Sequence, residues 1–413
     1  MKLSRTLLYN SVSFVTVTGC SVFQVGLLSR SLQSNELGAV LALYAWCTIA
    51  VEILDCRSWE VFASAAIRET GSAHDEFRRL LKFEGFVSLG WLVCGLCLAG
   101  MVASFWGTAL WPVAVVVTTF SCGLVGLEEL LKVRAVRFGR WRSVLVARVV
   151  ASILVLTATV SASAAGLIDA SSALLLMTGS RIVLVSLFWI LAGVVPSDLL
   201  DKSGATSGVQ RSRPLARELI WTNLRGTGRS LVSKLDRMLL PLLWPAGDFA
   251  AYDLGRRVID KLSGLGRPIA DALMDKHLVA DAPSAGGRLK QQVRRLFLLA
   301  LGAAALVAVL SHPICLALYG SALGAESAPF VVALCPIALL LAQAPCLPIL
   351  VSHPRKHAVT VYMLVVGVGL AVALLILGDR AKLVSALASS CACVVVGLIN
   401  IVVASSNPTG EQL

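Results

Sequence analysis

Charge is what this chain lacks. Asp, Glu, Lys and Arg together make only 15% of its 413 residues, against about 25% in a soluble globular domain. It also lacks period-2 alternation of apolar and polar residues, which argues against a lipid-facing β-barrel. Histidine is scarce. His74, His277, His312, His353 and His357 are scattered, with no triad or metal-ligand spacing. No connection on the outer side exceeds about ten residues. That leaves no room for the catalytic loop expected of a membrane-bound glycan polymerase or ligase.

What fills the chain instead is apolar sequence, 57% of the residues, at a mean hydropathy of +0.81. It comes in runs, such as 144–166, 297–314 and 359–378, long enough to cross a hydrocarbon core, which takes roughly 20 helical residues. The expected fold is all-α, a polytopic membrane protein of about twelve transmembrane helices. They are expected near 8–28, 36–56, 83–104, 107–131, 144–165, 172–195, 217–243, 248–274, 296–318, 328–352, 358–378 and 383–404. The first run is too long for the apolar core of a signal peptide and is read as a retained span. The eleven cysteines, including Cys94/Cys97 and Cys391/Cys393, lie in or beside these runs. They are read as small packing residues, with no metal or cofactor implied.

The net charge of +12 is a matter of placement and does not point to nucleic acid. With the N-terminus in the cytoplasm, most basic residues fall in inside loops, and only Arg30, Arg380 and Lys382 fall outside. This satisfies the positive-inside rule and predicts a multi-pass protein of the cytoplasmic (inner) membrane, both termini cytoplasmic. The basic loops then contact anionic membrane lipids. The segment 57–82 mixes charges with Trp59, Phe62 and Ile67. It fits either a surface amphipathic helix or a cytoplasmic extension of two spans. A polar stretch at 196–216, rich in Ser and Gly, separates an N-lobe (1–195, six spans) from a C-lobe (217–413, six spans).

Spans seven and eight break the apolar rule. They carry Arg225, Arg229, Lys234, Arg237, Arg256, Arg257, Lys261 and Arg267, with Asp236, Asp253, Asp260 and Asp271. One basic residue at a helix centre costs roughly 2.5–3.5 kcal/mol on insertion scales, so such groups must face a wet or protein-lined interior. At 100° per residue, Asp253, Arg256, Arg257, Asp260 and Arg267 share one face. Pro268 is placed to kink the helix. Two readings follow. In one, the face lines a cation-rich cavity for a phosphate-bearing anion, with Arg225, Arg229, Arg256, Arg257, Lys261 and Arg267 as ligands. In the other, the acids neutralise the bases internally. Glu52 and Asp55 in span two, with Glu128 and Glu129 in span four, are either interfacial or an ion-coupling and counter-charge set; Asp236, Asp253 and Asp260 are further candidates for that role. Pro336, Pro345 and Pro348 suggest a bent tenth span.

The run Lys234-Leu-Asp-Arg-Met-Leu-Leu-Pro-Leu-Leu-Trp244, followed by Asp248-Phe-Ala-Ala-Tyr-Asp-Leu-Gly255, resembles spans seven and eight of the Wzx-like polysaccharide flippases of the MOP exporter superfamily. Arg267-Pro268, Leu318-Tyr-Gly320, Ala328-Pro-Phe and the turn Arg30-Ser-Leu-Gln-Ser-Asn-Glu-Leu-Gly38 extend the resemblance over most of the chain. It implies two six-helix lobes around a central cavity. It implies a polyprenyl-pyrophosphate-linked oligosaccharide as cargo, moved by alternating access, with a polysaccharide polymerase or export proteins as partners. It implies a transporter and not an enzyme, with no cofactor. A MATE-like exporter of small molecules is the alternative within the superfamily; a cavity richer in bases than acids suits an anion better than a cationic drug.

Overall fold

The structure is a computed structural model and describes residues 2–54, 58, 73–106, 112–137, 140–191, 212–266, 285–346, 350 and 356–405. Among these residues there is no strand. The helices are α1 (Lys2–Ser31), α2 (Ser34–Leu54), α3 (Ala73–Trp106), α4 (Pro112–Gly123), α5 (Val125–Arg137), α6 (Trp141–Ala164) and α7 (Ala170–Leu191). They continue with α8 (Ser212–Leu243), α9 (Ala246–Ser263), α10 (Ala285–Val309), α11 (Ser311–Tyr319) and α12 (Ser321–Leu334). A 3₁₀ segment (Cys335–Cys346), α13 (Lys356–Leu377) and α14 (Lys382–Ser405) complete the series. Among the described residues, ten helical stretches are long and apolar enough to cross a membrane. They correspond to ten of the twelve expected spans. The other two, α8 and α9, fall short because of the charges they carry.

The chain forms two compact units, one of residues 19–32 and 43–227, the other of Met1–Thr18, Gln33–Ala42 and Gly228–Leu413. Most of the polar stretch at 196–216 lies outside the described residues.

In the first unit α3 is 34 residues long, about 51 Å at 1.5 Å per residue, well beyond a hydrocarbon core of about 30 Å. Of the segment 57–82, residues 73–82 run into α3 without a break; residues 57 and 59–72, with Trp59, Phe62 and Ile67, lie outside the described set. Phe77, Leu80 and Leu81 of α3 are buried against Leu130 and Leu131 of α5, Val144 and Ala147 of α6, and Phe188 of α7. The Arg134 guanidinium sits 4.2 Å from the centre of the Phe77 ring, a cation–π contact. The turn before α7 is closed by a capping box. Ser172 N–H donates to Asp169 Oδ1 at 2.7 Å and Asp169 N–H donates to Ser172 Oγ at 2.8 Å.

The second unit departs from uniform helices at three places. α10 stops at Val309 and α11 restarts at Ser311, where Pro313 lacks the N–H that a continuous helix would bond. Gly320 has φ +85°, a left-handed backbone that favours glycine, and it separates α11 from α12. The expected bend of the tenth span is a change of winding. From Cys335 to Cys346, with Pro336 and Pro345 inside it, the chain is 3₁₀; Pro348 is outside the described residues. α9 ends at Ser263 in a turn through Gly264 and Leu265; Arg267, Pro268 and Asp271 lie outside the described residues. α9 lies tight on α12. A Cβ on Gly255 would come within 3.0 Å of the Ser327 carbonyl oxygen and 3.1 Å of Phe330 Cβ.

Candidate functional site

The site forms where α8 and α9 face each other within the second unit. On α8, Ser233, Asp236 and Arg237 are one turn apart. On α9, Tyr252, Asp253, Arg256, Arg257 and Asp260 follow the i, i+3, i+4 spacing of one face. The hydrophobic turn of the hairpin is anchored below this face. Trp244 packs edge-on to Tyr252 at 5.6 Å between ring centres, and Tyr252 packs edge-on to Phe330 at the same distance. Trp244 Nε1 donates to the Gly378 carbonyl at 3.0 Å. Lys382 Nζ reaches Asp248 at 2.7 Å and Asp379 at 3.4 Å. The α8–α9 turn is thus tied to the α13–α14 turn, which fixes the register in which the charged faces meet.

Charges alternate through the site. Arg257 Nε donates to Asp253 Oδ2 at 2.6 Å. Arg237 Nε stands 2.6 Å from Asp253 Oδ1, and Arg237 Nη1 stands 2.7 Å from Asp260 Oδ2. Arg256 Nε donates to Asp260 Oδ1 at 3.1 Å and Arg256 Nη1 to Asp236 Oδ2 at 3.0 Å. Tyr252 Oη donates to the same Asp236 oxygen, and the Arg237 backbone N–H donates to Asp236 Oδ1 at 2.8 Å. Arg256 Nη2 completes its set on the Ser233 carbonyl at 2.8 Å, with Cys393 Sγ of α14 at 3.8 Å. Three guanidinium groups meet three carboxylates. The pairs offset desolvation that neither sign tolerates alone.

Burial divides the network. Asp236, Asp253 and Arg256 are at most 2% exposed. Arg237 and Arg257 are 14% and 17% exposed, and Asp260 is 32% exposed. One end is a closed pin and the other an accessible edge, with Lys261 beside it on α9. Of the residues read as phosphate ligands, the structure brings Arg256, Arg257 and Lys261 onto one helix and pairs Arg256 and Arg257 with carboxylates. Arg225 and Arg229 lie on α8, and their side chains are outside the described set, as is Arg267. Internal pairing of Asp236, Asp253 and Asp260 is therefore present. Arg237, Tyr252 and Cys393 complete the site. Arg237 was visible as an intramembrane charge, but nothing in the sequence distinguished it from its neighbours.

The first unit has its own intramembrane charges. Arg181 Nε of α7 lies 3.3 Å from Glu128 Oε2 of α5, and Arg181 Nη1 lies 3.5 Å from the Cys122 carbonyl. Arg181 is within electrostatic reach of Glu52 and Tyr44. Glu52 thus joins a charged cluster, Glu129 pairs with Lys132 at 3.0 Å, and Asp55 lies outside the described residues. Glu84, which the sequence did not single out, is buried on α3 and accepts a hydrogen bond from Ser58. Among the described residues no group of three or more His, Cys, Asp or Glu could hold a metal ion.

No protein-family profile matches this chain, and no curated protein matches it in sequence. Solved structures match it in fold. The lipid II flippase MurJ, in an inward closed conformation, superposes with a TM-score of 0.69 over 96% of this chain and 87% of that one, at 12% identity. A multidrug resistance MATE family transporter, outward-facing, gives 0.66 over 98% and 95%, at 13% identity. A MOP superfamily transporter from Pyrococcus furiosus, described with a binding pocket of reverse polarity, gives 0.67 over 98% and 96%, at 11% identity. The fold is that of the MOP superfamily transporters. At these identities the likeness carries the fold alone, and it joins flippases and drug exporters alike. The chain is a multi-pass, all-α membrane protein, and its structural neighbours are transporters.

Proposed function

We propose that this protein translocates a polyprenyl-pyrophosphate-linked oligosaccharide across the cytoplasmic membrane by alternating access, for export of a cell-surface polysaccharide. The observation that carries this reading is the sign of the charge at membrane depth. From Arg225 to Lys261 the chain has seven basic residues and four acidic ones. Arg237, Arg256 and Arg257 pair with the carboxylates of the network, and the segment as a whole carries three more bases than acids. A guanidinium offers two parallel donors that fit a phosphate, and its charge persists at any physiological pH. In this reading Arg237, Arg257 and Lys261 meet the pyrophosphate, with Arg225, Arg229 and Arg267 as further contacts. Arg256 acts as a positioning residue that holds α9 in register. The lipid tail stays in the bilayer while the glycan crosses with the pyrophosphate. The membrane orientation, with both termini cytoplasmic, and export partners such as a polysaccharide polymerase belong to the same proposal.

A second reading, a MATE-like exporter of small cations, is favoured by the acids Glu52, Glu84 and Glu128 of the first unit. One assay separates the two. Proteoliposomes carrying the purified chain are loaded with a fluorescent polyprenyl-pyrophosphate-linked saccharide, and parallel vesicles with a cationic dye. Faster transbilayer movement of the saccharide with no dye transport is expected. Dye transport with no saccharide movement overturns the flippase reading.

A further inference from the structure

Asp260 differs from the other two carboxylates of the network. Asp236 and Asp253 are sealed, at 1% and 0% exposure. Losing a guanidinium there leaves a charge with nothing to solvate it. The Asp260 carboxylate is 32% exposed, so water can take over whatever hydrogen bonds it gives up. It nevertheless receives two guanidinium groups, Arg256 Nε at 3.1 Å and Arg237 Nη1 at 2.7 Å. Arg237 is the less committed of these two. Its Nε lies 2.6 Å from Asp253 Oδ1, but the N–H is not directed at that oxygen, and both atoms are buried without a hydrogen-bond partner. Its contact with Asp260 is therefore its best-exposed link to a carboxylate. Arg256, by contrast, keeps Asp236 and the Ser233 carbonyl if Asp260 leaves.

A phosphate oxygen arriving at this edge offers Arg237 what Asp260 offers it: a negative oxygen near 2.7 Å. Exchange at Arg237 replaces one anionic contact with another. Arg256 Nε gives up its 3.1 Å contact with Asp260 while its other nitrogens keep Asp236 and the Ser233 carbonyl, and the displaced carboxylate moves toward water, not into protein. We propose that Asp260 is an exchangeable counter-ion: anionic cargo displaces it from Arg237, and its return helps eject the cargo. This rests on the anionic cargo proposed above. It specifies how a site closed by its own carboxylate opens to that cargo and lets it go. The same competition keeps the empty site from trapping stray anions.

The test titrates the purified full-length protein in nanodiscs with farnesyl diphosphate and, separately, with inorganic pyrophosphate. Asp260→Asn removes the competitor, so both probes are expected to bind about tenfold tighter. In proteoliposomes the same variant is expected to move lipid-linked saccharide more slowly, because release is no longer assisted. Adding Arg237→Gln is expected to cancel the gain in binding. A second measurement needs no variant. Modification of Asp260 by a soluble carbodiimide, read by mass spectrometry, is expected to rise as farnesyl diphosphate saturates the wild-type protein, with Asp236 and Asp253 unmodified throughout. An Asp260→Asn protein that melts normally and binds no tighter overturns the exchange; so does carbodiimide labelling that neither probe alters, or failure of both probes to bind. Tighter pyrophosphate binding by Asp260→Asn in a protein that moves no lipid-linked saccharide removes the proposed cargo and leaves the exchange standing. Saccharide movement with unchanged Asp260→Asn affinity does the reverse.

Discussion

Arg256 Nη1 and Asp236 Oδ2 meet 3.0 Å apart across α8 and α9, with the two side chains 2% and 1% exposed. This pair joins the helices at a depth where neither charge has water to fall back on. Breaking it from one side is expected to destabilise the protein by about 3–5 kcal/mol. Arg256→Ala and Asp236→Asn should each lower the melting temperature in detergent sharply. The double variant Arg256→Met/Asp236→Leu should recover much of the loss, since it leaves no orphaned charge. Single variants that melt like the wild type would falsify the pin.

At the accessible end the cost is expected to fall on transport instead. Lys261→Ala should reach the membrane in normal amounts yet cut surface glycan at least about tenfold, or about 1.4 kcal/mol. Arg257→Ala should cut it too, but it also strips the sealed Asp253 of its hydrogen-bonded guanidinium and so lowers the melting temperature as well. Arg257→Lys should restore only part of it, because an ammonium cannot form the two-pronged contact. Full export by a well-expressed Arg257→Ala/Lys261→Ala variant would leave these charges without a role in cargo binding.

The orientation predicted by loop charge is open to cysteine labelling. Cysteines introduced at Arg140, Gly208 and Gly287 should react only with permeant reagents in intact cells. Those at Gly166 and Ser321 should react with impermeant ones. Impermeant labelling at Gly208 would invert the proposed topology.

Glu52, Glu128 and Arg181 form the charged cluster of the first unit, and they are the candidates for coupling transport to an ion gradient. Glu52→Gln is expected to change the pH profile of transport without changing the amount of protein in the membrane. A profile that superimposes on the wild type assigns Glu52 to interfacial solvation.

The capping box ahead of α7 makes a smaller prediction, with a sign fixed by its chemistry. Partial burial pushes the Asp169 carboxyl up, but hydrogen bonds from the Ser172 side chain and backbone outweigh it and hold the group below the usual carboxylate range. A depressed pKa means stability that is present above the unfolded carboxylate pKa and is lost as pH falls through the folded one. Asp169→Ala should cost roughly 1 kcal/mol at neutral pH, and the difference from wild type should shrink below about pH 4. A gap of constant size across that range would remove the ionised cap as its cause.

The sequence by itself determined that this chain is helical and crosses a membrane many times, because hydrophobic run length is a local property that lipid enforces without reference to partners. It also determined that α8 and α9 carry charges no lipid contact would tolerate, and that the α9 charges share one face, since both follow from residue type and 3.6-residue spacing. Pairing was decided elsewhere. Asp260 and Asp253 lie on the same α9 face, equally spaced from an arginine. Only the packing of α9 against α8 seals one and leaves the other 32% exposed. Arg237 joins both carboxylates for the same reason: its partners sit on another helix, at a register fixed by the Trp244–Gly378 and Lys382–Asp248 contacts some 130 residues away in the chain. Glu84 likewise looked like an ordinary acid near the start of a span until Ser58 and the bare backbone at Gly126 closed around it. Periodicity places a charge on a face; which opposite charge it meets, and whether water reaches the pair, depends on long-range contacts that no local spacing encodes.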